Sequence, residues 1–440
     1  MRKARWFTMF LALGALLPLL TVPAGGEANR PGSRTGRDDT ASPVFSPYLD
    51  IWSGDGVNNW GPTAAYSSPH DEYLVAWTNE RTIGSDIYAQ RVGGDGSIRS
   101  WFAVIASPGQ SYSRPAVAYS PAQDRYLVAY EYQSGSNVDV WARLVRSDGA
   151  WMSAPFTITQ EVDRQQNPAV AYNSQDDEFL VVYENEWAGG MHDIAARRVR
   201  ASDGALLSWR NIATVPSPGM TDLRTYPAVA YNAARNEYLI TYTFQSVDIY
   251  GFGDVYGKLT SANMADLKRE IHICDSAVSQ LWTTSVAAGP DEYMVVWADR
   301  LSSPDLDDVC ARRLDGAGTP QGSTCGFPIA LGAGYQMHPM VSYGAGYGYL
   351  VVWRYVHGTP DAWDVYGRYV MPGRDAATGD AFLVSNTPSF DTGEDVSCSL
   401  AGNCLVVMDN YVAGATDYEI QGRMVMPHRI CLPLAARNWP

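Results

Sequence analysis

Charged residues make up only 18% of this 440-residue chain, and nowhere do lysine and arginine gather into a basic stripe. A phosphate backbone needs such a stripe, so nucleic acid is excluded as an expected partner. The six cysteines form no C-x-x-C pair and no Cys/His cluster, which removes the usual zinc frameworks. His70, His192, His272, His338, His357 and His428 are scattered without a repeated partner. Long apolar runs are also missing. The longest, Trp6 to Leu20, is short for a membrane span.

That run follows Arg2-Lys3-Ala4-Arg5 and precedes Val22-Pro23-Ala24, so residues 1–24 read as a secretory signal peptide. Residues 25–43 form a polar linker without periodicity and are expected to be disordered. Removal of the signal strips three positive charges from a chain that already carries a formal −15. The expected setting is secreted or cell-surface, with no membrane span once the signal is cleaved, and there disulfides become possible. Aromatic residues reach 12%, which suits a β-rich globular protein and argues against wider disorder.

The stretch from Pro168 to Gly204 reads as three short strands separated by turns, and it recurs seven times. Each unit opens on a Pro-x-x-x-Tyr strand: Pro62 to Tyr66, Pro115 to Tyr119, Pro168 to Tyr172, Pro227 to Tyr231 and Pro339 to Tyr343. Degenerate copies lie around Ser285-Val286-Ala287 and Asp395-Val396-Ser397. An apolar second strand follows, such as Phe179 to Tyr183 or Cys404 to Met408. The third begins with an acid: Asp86, Asp139, Asp193, Asp254, Asp308, Asp364 or Glu419. A weaker fourth strand, as in Phe156 to Thr159, closes most units.

Four short antiparallel strands repeated seven times predict an all-β fold, a seven-bladed β-propeller spanning 44–427. The seventh unit lacks a fourth strand, and Val44 to Trp52 supplies a spare one, so the ring is expected to close through an N-terminal strand completing the last blade. Three residues after each acid the side chain is tiny (Ala89, Ala142, Ala196, Gly257, Ala311, Gly367, Gly422), which implies close approach of a neighbouring sheet or backbone. The next residue is Gln90, Arg143, Arg197, Lys258, Arg312, Arg368 or Arg423, whose stem is expected to cross the blade flank with its head in water.

These units resemble the repeats of secreted bacterial β-propeller proteins, roughly P-x-V-A-Y, E-Y-L-V-V-W and D-I-Y-x-x-R. The likeness covers residues 45 to 425, implies the fold and implies little about activity. The tail, 428–440, contains Cys431 to Pro440 (CLPLAARNWP) and looks like the LPL-x-x-R ending of exported bacterial proteins. It reads either as a sorting signal or as a strand patching the ring.

Cys398 and Cys404 replace two facing aromatics of one hairpin, so a cross-strand disulfide is expected there. Cys310 and Cys325, on strands three and four of unit five, are expected to pair. Cys274 with Cys431 then follows by elimination.

Chemistry is harder to find. One acid per blade at the same turn places the acids far apart, and each is expected to bind local backbone N–H groups. EF-hand loops, sialidase boxes, nucleophile elbows, H-E-x-x-H and phosphate loops are absent. The inner strands carry Ala and Val, as in Ala116-Val117-Ala118, a poor setting for acid/base work. No cofactor, catalytic residue or metal site is expected. The loops joining second to third strands instead gather aromatics and acids on one rim: Glu80, Glu184, Glu186, Trp187, Tyr250, Asp299, Tyr355, Trp363 and Tyr411. Aromatics beside carboxylates suit a sugar ring or a protein partner, or else pack under their own loops. The favoured expectation is a non-catalytic, monomeric binding or scaffold module recognising a glycan or protein. The alternative is a glycan-active hydrolase or lyase with rim carboxylates.

Overall fold

The computed structural model describes residues 42–159, 163–187, 190–214, 222–246, 253–274, 280–303, 306–332, 334–356, 363–386, 390–411 and 417–427. The expected signal peptide, the linker up to residue 41 and the tail, with Cys431 and Tyr250, lie outside the described residues. Among the described residues the regular elements are all strands, grouped as seven antiparallel units. The third unit is representative. Arg164–Asn173, Glu178–Trp187, Met191–Arg200 and Leu206–Ala213 pair in chain order, with Tyr172 opposite Phe179 and Phe179 opposite Val199.

The first turn of a unit is fixed by its own chemistry. Tyr172 donates its hydroxyl to Asp177 at 2.9 Å, and Asp177 sits in the left-handed region with φ 53°. Tyr66 with Asp71, Tyr119 with Asp124 and Tyr231 with Asn236 repeat the arrangement. Asp and Asn tolerate that backbone better than most residues, which is why acids and amides fill these turns.

Inner strands neighbour one another all the way round, ending with Phe390–Cys398 beside Asn59–Ser67. The N-terminal stretch closes the seventh unit as two short strands. Val44–Phe45 pairs with Met426 and Val425, and Leu49–Trp52 with Gly422, Gln421 and Ile420. Each described core cluster straddles one junction between adjacent blades; Leu127 and Ala142 of the second, for example, pack with Phe179 and Val181 of the third. Each wedge therefore hides its apolar face on the next, at about 1.5–3 kcal/mol per fully buried large side chain.

The small residues of the third strands are approached closely, though by side chains of their own blade rather than by a neighbouring sheet or backbone. A Cβ on Gly257 would stand 2.9 Å from Ile273, and one on Gly422 2.8 Å from Ile51, both on the strand that closes the same blade. The arginines beside them depart from the expected exposure. Arg143 donates to the Val104 carbonyl at 2.6 Å, Arg312 to Ile273 at 2.6 Å and Arg368 to Ile329 at 2.7 Å. Each acceptor belongs to the outer strand of the preceding blade. The guanidinium, with several donors in a fixed fork, satisfies edge carbonyls that water would otherwise take, so it goes inward as a clamp.

Cys398 and Cys404 form the expected disulfide, opposite each other in the last hairpin. The other two pairings are corrected. Cys274 joins Cys325 with Cα atoms 4.5 Å apart, and Cys310 is a free buried thiol. On its strand Cys310 faces Pro328, while Cys325 lies just before that outer strand and meets the end of blade four. The bridge therefore ties blade four to blade five, and Cys274 has no sulfur left for Cys431.

Candidate functional site

Most of the rim residues lie at strand ends, because the second and third strands run further than their apolar cores suggested. Glu80 ends Glu72–Glu80, Glu184 to Trp187 end Glu178–Trp187, and Trp363 opens Trp363–Val370. Glu80 is exposed and accepts from Asn58 at 3.2 Å. Glu186 is ion-paired with Arg164 at 3.7 Å, and Trp187 donates its indole N–H to Asp193 at 2.9 Å. Asp299 is buried and accepts from the Trp297 indole at 3.3 Å. Trp363 lies 5.1 Å beneath the Arg354 guanidinium, and Tyr411 packs 5.3 Å from Tyr418. The ring spreads these residues over several blades. Two hairpin tops bring some of them together: Glu184, Glu186 and Trp187 end one strand, and on another Tyr355 stands opposite Asp364 and Val356 opposite Trp363.

Glu184 is 1% exposed and works as a staple. It accepts the backbone N–H of Tyr226, on the next inner strand, at 2.5 Å, and the Asn167 side-chain amide at 2.7 Å, with His192 Nδ1 3.2 Å away. The same role recurs at this register. Thr78 accepts from Arg114 N–H at 3.2 Å, Glu131 from Asn167 N–H at 2.8 Å, and Asp409 from Gly61 N–H at 3.2 Å. The acids opening the third strands are likewise drawn inward. Asp86 accepts the Ser107 N–H at 3.2 Å and Asp308 the Gly332 N–H at 3.4 Å. Burial pushes the carboxyls of Asp86 and Asp139 above the usual range.

A concave site does open at one junction. Between blades five and six lies a cleft of about 310 Å³, lined among others by Leu331, Gln336, Trp353, Tyr355, Tyr366 and Arg368. Trp353 and Tyr366 stack at 6.1 Å and 23°, and Tyr355 meets Tyr366 edge-on at 5.6 Å. Burial, then the neighbouring Asp364, pushes the Tyr366 phenol up. Ala330, the small residue opposite Val309 at the end of the preceding blade, lines it. Trp52, opposite Ile420, holds the same register at the junction of blades seven and one. There it fills the space against Trp77, Tyr88 and Trp101, with ring centroids 5.6, 5.6 and 4.9 Å away.

A second concentration of polar groups was missed because only the Ala and Val copies of the inner strand were weighed. Each inner strand shifts register just before its opening residue, and the residue ahead of the proline takes positive φ: Gly61, Arg114, Asn167, Tyr226 and His338. For non-glycine residues that backbone costs on the order of 1 kcal/mol or more each. Arg114, Asn167, Tyr226 and His338 thus repeat at one position around the inner strands, and Arg114 donates to the Asn167 side-chain oxygen Oδ1. In blade seven, Asp395 takes the register of Ala116 and accepts from Thr63 Oγ1 at 3.0 Å and Ala64 N–H at 2.9 Å. Desolvation raises its carboxyl to about 6. Beside it Arg354 donates to the buried Glu394 at 3.1 Å, and desolvation together with Arg354 pushes His338 down. The register shift before each proline, with a strained residue at it, carries no sequence signature beyond that proline. Among the described residues no group of three or more His, Cys, Asp or Glu side chains is placed to hold a metal ion. No helix there is long and apolar enough to cross a membrane.

No family model matches the chain, and no curated protein matches it by sequence. Solved structures do match in fold. A protein of unknown function from Dyadobacter fermentans aligns over 88% of this chain and 100% of its own at 10% identity, TM-score 0.53. The polysaccharide lyase Uly1 aligns over 87% and 99%, also at 10% identity and TM-score 0.53. The Dos1 propeller aligns over 87% and 95% at 10% identity, TM-score 0.46.

Proposed function

We propose that this chain is an exported propeller that binds glycans, seating a sugar ring in the aromatic cleft between blades five and six. The observation that carries the reading is the cleft itself: aromatic faces for C–H surfaces, the Gln336 amide and Arg368 for hydroxyls, and a volume near the lower end of ligand pockets. Its two disulfides suit an oxidising compartment. The polysaccharide lyase among the fold matches agrees with a glycan setting but carries no residue across at 10% identity.

A glycan array on the mature chain, followed by calorimetry with the sugar captured, tests the reading. Tyr355→Ala should weaken binding about tenfold or more. Capture of no carbohydrate, or a Tyr355→Ala protein that binds as tightly as the parent, sinks it.

The hydrolase or lyase alternative is favoured by one observation, the strained polar residues repeated around the inner strands. Under that reading chemistry belongs to Tyr226, His338 and Asp395 rather than to rim carboxylates. Turnover of a captured glycan that survives Tyr355→Ala but is lost in His338→Ala would select it.

A further inference from the structure

The junction between blades three and four repeats the ring geometry of the cleft with different residues, Tyr242 for Trp353 and Phe244 for Tyr355, and with His272 edge-on to Tyr256 at 4.6 Å. Ala213 stands opposite Ile194 as Ala330 stands opposite Val309, again leaving a small residue where Trp52 fills the seven–one junction. Tyr242 and Tyr256 stack at 6.2 Å and 23°, against 6.1 Å and 23° for Trp353 and Tyr366. Phe244 meets Tyr256 at 5.3 Å and 85°, as Tyr355 meets Tyr366 at 5.6 Å and 85°.

One position differs in kind. Three residues before the opening proline, where blade six has Gln336, blade four has Arg224. Arg224 is 6% exposed, and its Nε and Nη1 have no hydrogen-bond partner among the described residues. Its guanidinium lies 5.0 Å from the Phe244 ring, and no carboxylate is within ion-pair distance of it among the described residues. Glu270, on the outer strand of the same blade, is taken up by the Tyr242 hydroxyl. A buried cation without a counter-charge is costly and is normally neutralised by a partner. A stacked guanidinium with free donors is suited to a planar oxyanion.

We propose that this junction is a second glycan site selecting a sugar that carries an anionic group, a carboxylate or a sulfate ester. The sugar face rests on Phe244 and Tyr256, and Arg224 supplies the opposing charge. The proposal shares with the functional reading the premise that the aromatic frame holds a sugar, but it stands on a different junction.

The mature chain, Arg224→Gln and Tyr355→Ala would each be titrated by calorimetry with glucuronate, glucose 6-sulfate, glucose and inorganic sulfate. Arg224→Gln, which copies blade six, should weaken the anionic sugars about tenfold or more and leave glucose unchanged. Its melting temperature should change little, since loss of the Phe244 contact is offset by removal of a buried charge without a counter-charge. Tyr355→Ala should weaken glucose while keeping the preference of the anionic sugars over glucose, so failure at the five–six cleft is read separately. Equal affinity of Arg224→Gln and parent for anionic sugars overturns the proposal. So does inorganic sulfate binding as tightly as the sulfated sugar, or a marked fall in melting temperature showing that Arg224 serves the fold.

Discussion

The five–six and seven–one junctions are built on one plan and end differently. At both, a tryptophan from the second strand (Trp353, Trp77) and a tyrosine from the third (Tyr366, Tyr88) face the last residue of the preceding blade. At five–six that residue is Ala330 and a cleft remains. At seven–one it is Trp52, and the seam is reinforced elsewhere. Asn59 donates to the Tyr418 carbonyl at 3.2 Å, Tyr73 to Asn403 at 2.7 Å, and Asp395 accepts from two groups of blade one. The closing seam is the one junction whose outer strand comes from the far end of the chain. That strand, Leu49–Trp52, leads directly into Asn59–Ser67 of blade one. The break in chain continuity therefore lies inside blade seven, where Leu49–Trp52 must find Tyr418–Met426 from the far end of the chain.

Substitutions can break this contrast from either side. Trp52→Ala removes the plug from the seam and should cost about 2 kcal/mol, below the fully buried Trp range because Trp52 is only half-buried. A fall in denaturant midpoint smaller than that of an exposed control such as Trp151→Ala would sink the plug assignment. The pH dependence of the seam sharpens the same point. With the Asp395 carboxyl raised to about 6, the native protein keeps a proton that the unfolded chain has already lost above roughly pH 4. Stability should therefore decline as pH rises from roughly 4 to 6, by about 2 kcal/mol once solvent in the channel is allowed for. Asp395→Asn should flatten that slope in melting curves taken across the window; an unchanged slope rejects Asp395 as its source. The smallest effect on stability is expected at the open junction. Ala330→Trp should fill the cleft in imitation of Trp52, change stability by about 1 kcal/mol or less, and abolish sugar binding. Retained binding would place the ligand elsewhere.

Much of the architecture was legible because the repeat is short and its signals are local. Pro168 to Tyr172, the NSQDDE turn and Phe179 to Tyr183 carry strand period, turn chemistry and cross-strand pairing within one stretch. The Cys398–Cys404 bridge was legible for the same reason, as a substitution of two residues already known to face each other. Cys274–Cys325 was not, because it crosses from one blade to the next. Glu184 illustrates the limit at the site. Its position on the rim was readable, but its backbone acceptor role toward Tyr226 depends on how two blades abut.

By itself the sequence determined the strand repeat, the sevenfold count and the need for Val44 to Trp52 to complete the last blade, since alternation and turn residues act within a few positions. Tertiary structure alone decided which junction stays open, which acids turn inward and which cysteines meet. Those outcomes depend on residues from different blades competing for one volume, and no local pattern encodes that competition.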